Sequence, residues 1–282
     1  MIKNIIKVSS ILLLACFSFY YTEKVTRLVR EKDPIMIKIN EVKDSNYVSN
    51  IKPIINGDSY YTGIKGCEVD IDKSYDKMKT FGEYKSELLV MKEVENNNDL
   101  TNKYIVGGNK LQRQVSIIFY IKKDINDNLI KYLTEEKIHS NLFIEHNYLE
   151  NNSTMIKFLS ENNNIYYLGK DGKYDSSYLT YISNIIGIYS KNESSYCLVI
   201  DKDDNTLNIC REYNMKTIKV DNISNNILSN VKNNLSNGSI IAIDSDDIDT
   251  IKVSINYIKA KGYDIVSLDK LLSESNNCKN SL

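Results

Sequence analysis

Val115-Ser116-Ile117-Ile118-Phe119-Tyr120-Ile121 is an uncharged, β-prone run with Gln112-Arg113-Gln114 ahead of it and Lys122-Lys123-Asp124 behind. An apolar run of this length between polar flanks reads as a strand buried on both faces, as a parallel sheet requires. Outward from it the pattern repeats. Strand-like runs at 115–121, 141–145, 164–169, 195–200, 216–220, 238–243 and 263–267 alternate with helical stretches at 125–137, 152–162, 176–190, 204–214, 223–236 and 247–261. A last short helix starts at Asp269. This alternation predicts an α/β fold, a parallel barrel or a doubly wound sheet, and the count favours an incomplete (β/α) barrel over 110–275. Asp203 or Asp204 is placed to cap the helix bearing Leu207, Asp246 the one bearing Ile248, and Gly262 to end that helix.

Ahead of the barrel the texture changes three times. Lys3 and Lys7 lead into an uncharged run from Val8 to Thr22, closed by Glu23-Lys24, so residues 1–24 have the layout of an export signal. Three fates fit it: a retained membrane anchor, which is favoured, lipidation at Cys16 after Leu13-Leu14-Ala15, or cleavage and release. Each puts the bulk of the chain outside the cytoplasm, and the first makes it a cell-membrane protein. Residues 25–46 read as a stalk, with Val25, Leu28 and Val29 at helical spacing, a stop or kink at Asp33-Pro34, and an extended segment through Ile35, Ile37 and Ile39. Residues 47–109 read as a small α+β module: a strand–turn–strand over 54–61, a helix capped by Asp72 or Ser74 and ended by Gly82, and strands at 86–94 and 103–106. Residues 276–282 form a tail.

The totals narrow the chemistry. With 42% hydrophobic and 26% charged residues, the 282-residue chain can bury a core. A net charge of −1 without a basic stripe gives no footprint for nucleic acid. Trp is absent, so any sugar-stacking surface would use tyrosine or phenylalanine. His139 and His146 are the only histidines, which excludes a three-histidine metal site. The five cysteines form no CxxC pair, against a zinc knuckle. A Cys197–Cys210 disulfide is open, with free buried thiols the favoured reading.

Reactive groups in such barrels sit at the carboxyl ends of the strands. The rim residues are then Tyr120, Lys122, Glu145, His146, Lys170, Asp171, Asp201, Asp221, Asp244 and Asp246. A hypothetical metal site there could draw on Glu145, His146 and Asp244, since carboxylate and imidazole ligands suit zinc or manganese. Polar residues also follow strands in any soluble barrel, and that plainer reading is preferred. No phosphate-cradling glycine pattern, GxSxG elbow or catalytic-cysteine signature occurs.

Residues 113–274 resemble the polysaccharide deacetylase (NodB-homology) family. The likeness rests on Val115 to Phe119 as its first strand and on Leu142-Phe143-Ile144 with Tyr148-Leu149 as its second unit. It continues through Asn237-Gly238-Ser239-Ile240-Ile241 and the closing Lys261-Gly262-Tyr263 with Val266 to Leu272. The resemblance implies a (β/α) barrel that removes acetyl groups from N-acetylated sugars outside the cytoplasm, using a divalent metal such as zinc. The family's functional residues do not carry over. Its two carboxylates fall at Tyr120 and Ile121, its metal histidines near Leu168 and Gly172, its arginine near Tyr196 and its general-acid histidine at or near Asp244. Metal-assisted hydrolysis needs a fixed metal and an acid for the leaving amine. The expectation is therefore a membrane-anchored pseudoenzyme with no catalytic residues and no cofactor, binding cell-wall glycan or a protein partner. The alternatives are an active deacetylase with a site relocated to Glu145, His146 and Asp244, and a structural envelope protein.

Overall fold

The structure, a computed structural model, describes residues 2–96, 99–122, 125–189, 196–220, 223 and 226–278. The chain forms two units. The first takes residues up to Asn50, Lys65–Glu95 and Ser275 onward; the second takes Ile51–Ile64 and Asn96–Glu274. The expected boundaries at 46/47 and 109/110 do not match these units.

In the first unit, α1 (Ile2–Glu31) is one continuous helix, and α2 (Pro34–Val42) follows directly. Asp33 caps α2 by accepting a hydrogen bond from Ile35 N at 2.9 Å, and Pro34 occupies the first helical turn, where its missing N–H costs nothing. The extended segment expected at Ile35, Ile37 and Ile39 is thus a helix. Ile35 and Ile39, one turn apart, are buried while Ile37 faces out. Among the described residues no helix is long and apolar enough to cross a membrane. The segment 51–64, with β1 (Ile54–Asn56) and β2 (Ser59–Tyr61), belongs to the second unit. Then β3 (Gly66–Val69), α3 (Ile71–Lys79) and β4 (Met91–Val94) complete a small core of Ile35, Ile39, Val69, Tyr75, Met78 and Leu89. Asp70, rather than Asp72 or Ser74, caps α3, because Ser74 Oγ instead accepts from Val90 N at 2.9 Å. The residues expected as a free tail are tied down by a Cys67–Cys278 disulfide and by Asn276, which donates to Lys65 O at 3.0 Å.

The second unit contains β5 (Tyr104–Gly107), β6 (Gln114–Ile121), α4 (Asp127–Glu135), β7 (Ser140–Ile144), α5 (His146–Asn151) and α6 (Ser153–Leu159). It continues with β8 (Asn164–Tyr167), α7 (Ser176–Tyr189), β9 (Tyr196–Val199), α8 (Asp204–Glu212), β10 (Lys216–Lys219) and α9 (Ile227–Asn234). Last come β11 (Ile240–Ile243), α10 (Ile248–Ala260), β12 (Asp264–Ile265) and α11 (Leu268–Leu272). The strand–helix alternation expected from the sequence is present, with α5 as an unforeseen extra helix. Asp247, not Asp246, caps α10 by accepting from Thr250 N at 3.2 Å.

These strands form two sheets, β11-β6-β7-β8 with β12 beside β6, and β1-β2-β5-β10-β9. Every pairing in them is parallel except the β1–β2 hairpin. Side chains alternate along a strand, so one face of each sheet can share a core. Ile118 and Tyr120, Phe143, Tyr166, Tyr196 and Leu198, Ile218, Ile240 and Ala242 fill one interior, and the opposite faces pack under the helices. Two sheets around one interior make an open barrel. β5, expected in a separate module, is a wall strand of this barrel. Its Tyr104 is fully buried, and the hydroxyl donates to Asp204 Oδ1 at 3.1 Å while accepting from Asp203 N at 3.0 Å. Burial pushes that phenol up to about 12.

Gly238 stands at φ +76°, and a Cβ there would lie 2.4 Å from Gly108 O, so only glycine fits this crossing. The favoured free thiols at Cys197 and Cys210 are instead a disulfide joining β9 to α8. The strand and the following helix present both residues to the same core, with Cα atoms 6.4 Å apart, within bridging distance.

Candidate functional site

The carboxyl ends of the strands are where this architecture places its chemistry. On β6 the alternation turns Tyr120 into the barrel and Ile121 under the helices. Tyr120, Leu168 and Tyr196, at positions where the resemblance implies a carboxylate, a metal histidine and an arginine, are all buried in the interior. Level with Tyr120 in the strand register, Phe143 and Tyr166 stack with ring centroids 4.8 Å apart, and Tyr196 meets Tyr166 edge-on at 5.5 Å. The interior at the level of Tyr120 is therefore packed with aromatic rings. The Tyr120 hydroxyl is buried and finds no hydrogen-bond partner among the described residues. Burial, then the Asp244 carboxylate, pushes this phenol well above its ordinary value.

The remaining rim residues are engaged separately. Asp244 pairs with the Lys122 ammonium. Glu145 is buried as the N-cap of α5 and accepts from Asn147 N at 3.0 Å and Asp171 N at 3.3 Å. His146 is buried, with Nδ1 3.3 Å from the Tyr167 hydroxyl, Nε2 3.5 Å from Glu150 Oε2, and its ring 4.4 Å from that of Tyr178. Gly172 lies in an exposed turn at φ +73°. Lys170 reaches over the Tyr178 ring, Asp201 is exposed, Asp246 C=O accepts from Asn126 Nδ2, and Asp221 lies outside the described residues. His139 is exposed just before β7, at the opposite end of that strand from His146.

Among the described residues, no group of three or more His, Cys, Asp or Glu side chains is placed to hold a metal ion. Glu145 serves its helix, His146 a tyrosine and a glutamate, and Asp244 a lysine, so the candidate set does not converge. These residues do not fit a divalent metal of the kind the resemblance implies. The arrangement can pack and can hydrogen-bond; it offers no carboxylate–imidazole pair aimed at a common point.

Two features had no signal in the sequence. Tyr174, in the loop before α7, donates its hydroxyl to Tyr167 O at 2.9 Å and accepts from Leu198 N at 2.8 Å, so one phenol spans the open seam between β8 and β9. Burial raises its pKa. At the other end of the barrel, Asn141 is fully buried. Its amide donates to Ser116 Oγ at 2.8 Å and Ile117 O at 2.9 Å, and its oxygen accepts from Leu268 N at 3.0 Å. Only strand parity, once known, shows that Ser116 and Asn141 face inward.

No family model matches the chain, and no curated protein matches it in sequence. Solved structures do match in fold. A CE4 family pseudoenzyme from Bacillus anthracis superposes with a TM-score of 0.57 at 16% identity, over 86% of this chain and 96% of that one. A mutant of that pseudoenzyme with restored enzymatic activity gives 0.58 at 17% identity, over 86% and 99%. A peptidoglycan N-acetylglucosamine deacetylase gives 0.50 at 14% identity, over 61% of this chain and 95% of that one. The chain therefore has the NodB-like fold of the CE4 deacetylases, as the resemblance implied.

Proposed function

We propose that this protein is a deacetylase-fold pseudoenzyme that acts by binding, outside the cytoplasm, and does not hydrolyse acetamido groups. One observation carries the reading: Tyr120 and Leu168, at the carboxyl ends of β6 and β8, are buried in the barrel interior where the fold's enzymes would need ligands and an open site. The rim's charged groups are each taken by a partner, Asp244 by Lys122 and Glu145 by the start of its helix, which leaves no free pair to hold a metal, activate water or protonate an amine. The fold likeness to a pseudoenzyme whose mutant regained activity supports the same view.

The relocated set of Glu145, His146 and Asp244 is opposed by the separate partners of each. The test is metal analysis of the purified protein together with acetate release from chitooligosaccharides. Neither stoichiometric metal nor acetate is expected; finding both overturns the reading.

The two disulfides support export, because such bonds persist in oxidising compartments. Alkylation before and after reduction, read by mass spectrometry, should show Cys67, Cys278, Cys197 and Cys210 protected; four reactive thiols on freshly isolated protein would contradict it. The α1 helix is the proposed membrane tether, since Leu12, Leu13, Leu14, Phe17 and Phe19 are all exposed on it. Release into the soluble fraction without detergent would remove that part of the proposal. The binding partner is proposed to be cell-wall glycan or another envelope protein. Retention on insoluble peptidoglycan separates the two.

A further inference from the structure

Among the described residues, the barrel wall has an opening on its side. β11 pairs with β6 along one edge, and its other edge meets β5 through the Gly107–Ser239 bridge. In a parallel ladder successive residues direct their main-chain groups to opposite sides. Ser239 O accepts from Ser116 N on β6, so Ile240 and Ala242 turn theirs toward the opening. Asn230 Nδ2 takes up Ala242 O at 3.2 Å. The result is a slot of about 450 Å³ bounded by the β1–β2 hairpin, the end of β10, α9 and β11. Its volume lies in the range of small-molecule sites, roughly 300–1,000 Å³.

The lining selects a ligand class. Asn56 and Asn233 line it with side-chain amides and Ser236 with a hydroxyl, while the Ser59 hydroxyl donates to Asp58, the Ser239 hydroxyl to Ser236 O and the Asn234 amide to Asn230 Oδ1. Each amide both donates and accepts, which matches vicinal hydroxyl groups that do the same. The slot's charges are matched: Lys219 Nζ lies 3.7 Å from Asp58 Oδ1. That pairing favours neither a phosphate nor a cation. The Tyr61 ring is already occupied by the Lys110 ammonium, 3.8 Å from its centroid, so recognition falls to the amides and hydroxyls.

We propose that this slot, on the side of the barrel rather than at its filled mouth, binds a neutral saccharide of one to three rings. The proposal gives the binding role argued above a place and a ligand class, and it rests on that reading. The test titrates the full chain in detergent with chitotriose and, separately, with cellotriose, read by calorimetry. Asn56 and Asn233 are exposed, so Asn56→Ala with Asn233→Ala should leave the melting temperature unchanged. The double variant should weaken binding about ten-fold, as expected for two lost neutral hydrogen bonds. Asn233→Trp, which narrows the slot, should abolish binding, and its indole is the chain's only one, so its fluorescence checks that the slot region is folded. If both variants bind like the wild type, the slot is wrong while a glycan role elsewhere on the protein survives. If neither sugar binds the wild type, both the slot and the glycan role fall, and the protein-partner role is what remains.

Discussion

At the amino ends of β6 and β7 the barrel interior is polar and satisfied. Asn141 links Ser116, Ile117 and the start of α11 through three hydrogen bonds of 2.8–3.0 Å. At the carboxyl ends of the same strands the interior is aromatic, and the Tyr120 hydroxyl is buried without a partner among the described residues. In (β/α) barrels the amino end serves stability and the carboxyl end serves chemistry. Here the amino end carries the hydrogen-bonded network, and the interior near the carboxyl end is filled by Tyr120, Phe143 and Leu168. Buried polar groups are tolerated where they are fully hydrogen-bonded and costly where they are not, which is the difference between the two ends.

That contrast can be broken by substitution. Asn141→Leu should be the most damaging change, costing about 3 kcal/mol, because Leu268 N–H and the Ser116 hydroxyl lose a partner in a closed interior. Urea denaturation reads it, and a loss below about 1 kcal/mol would show that the network is incidental. Tyr174→Phe tests the seam and should cost about 2 kcal/mol, since Leu198 N–H would be left buried and unbonded.

Asp203→Ala, which removes the cap of α8, should cost about 1 kcal/mol near neutral pH. The Thr206 hydroxyl, chiefly, holds the Asp203 carboxyl below its ordinary value. A depressed folded-state pKa adds stability above the unfolded value of about 4 and loses it as pH falls through the folded value. The gap between wild type and Asp203→Ala should therefore close below about pH 4; a gap constant down to pH 2 would refute the assignment. The smallest effect belongs to the mouth. Tyr120→Phe removes a hydroxyl that bonds to nothing described, so stability should stay within about 0.5 kcal/mol or rise. A loss like that of Asn141→Leu would mean the mouth carries a polar network after all.

Much of the second unit was legible from local pattern. The apolar runs, Asp203 ahead of α8 and Gly262 after α10 each record their environment within a few residues. At the end of β6 the sequence places Tyr120 and Ile121, and the structure turns the first into the interior and the second under the helices. Pairing was less accessible. β5 looked like part of a separate module because its four residues carry no mark of the partner strand, β10, more than a hundred positions away. Ile35, Ile37 and Ile39 alternate like a strand, yet with the Asp33 cap and Pro34 at the start they lie on a helix that buries Ile35, Met36 and Ile39 on one face.

The sequence by itself determined the strand–helix order, the buried runs and the absence of deacetylase side chains from the positions expected to hold them. These depend on residue type and near-neighbour spacing, which the chain carries openly. The tertiary structure alone decided which elements share a sheet, that four of the five cysteines form two disulfides, and that Glu145, His146 and Asp244 are engaged separately. It also decided that, among the described residues, the wall is open beside β11. Those outcomes turn on distances between residues far apart in the chain, which packing sets and local pattern does not encode.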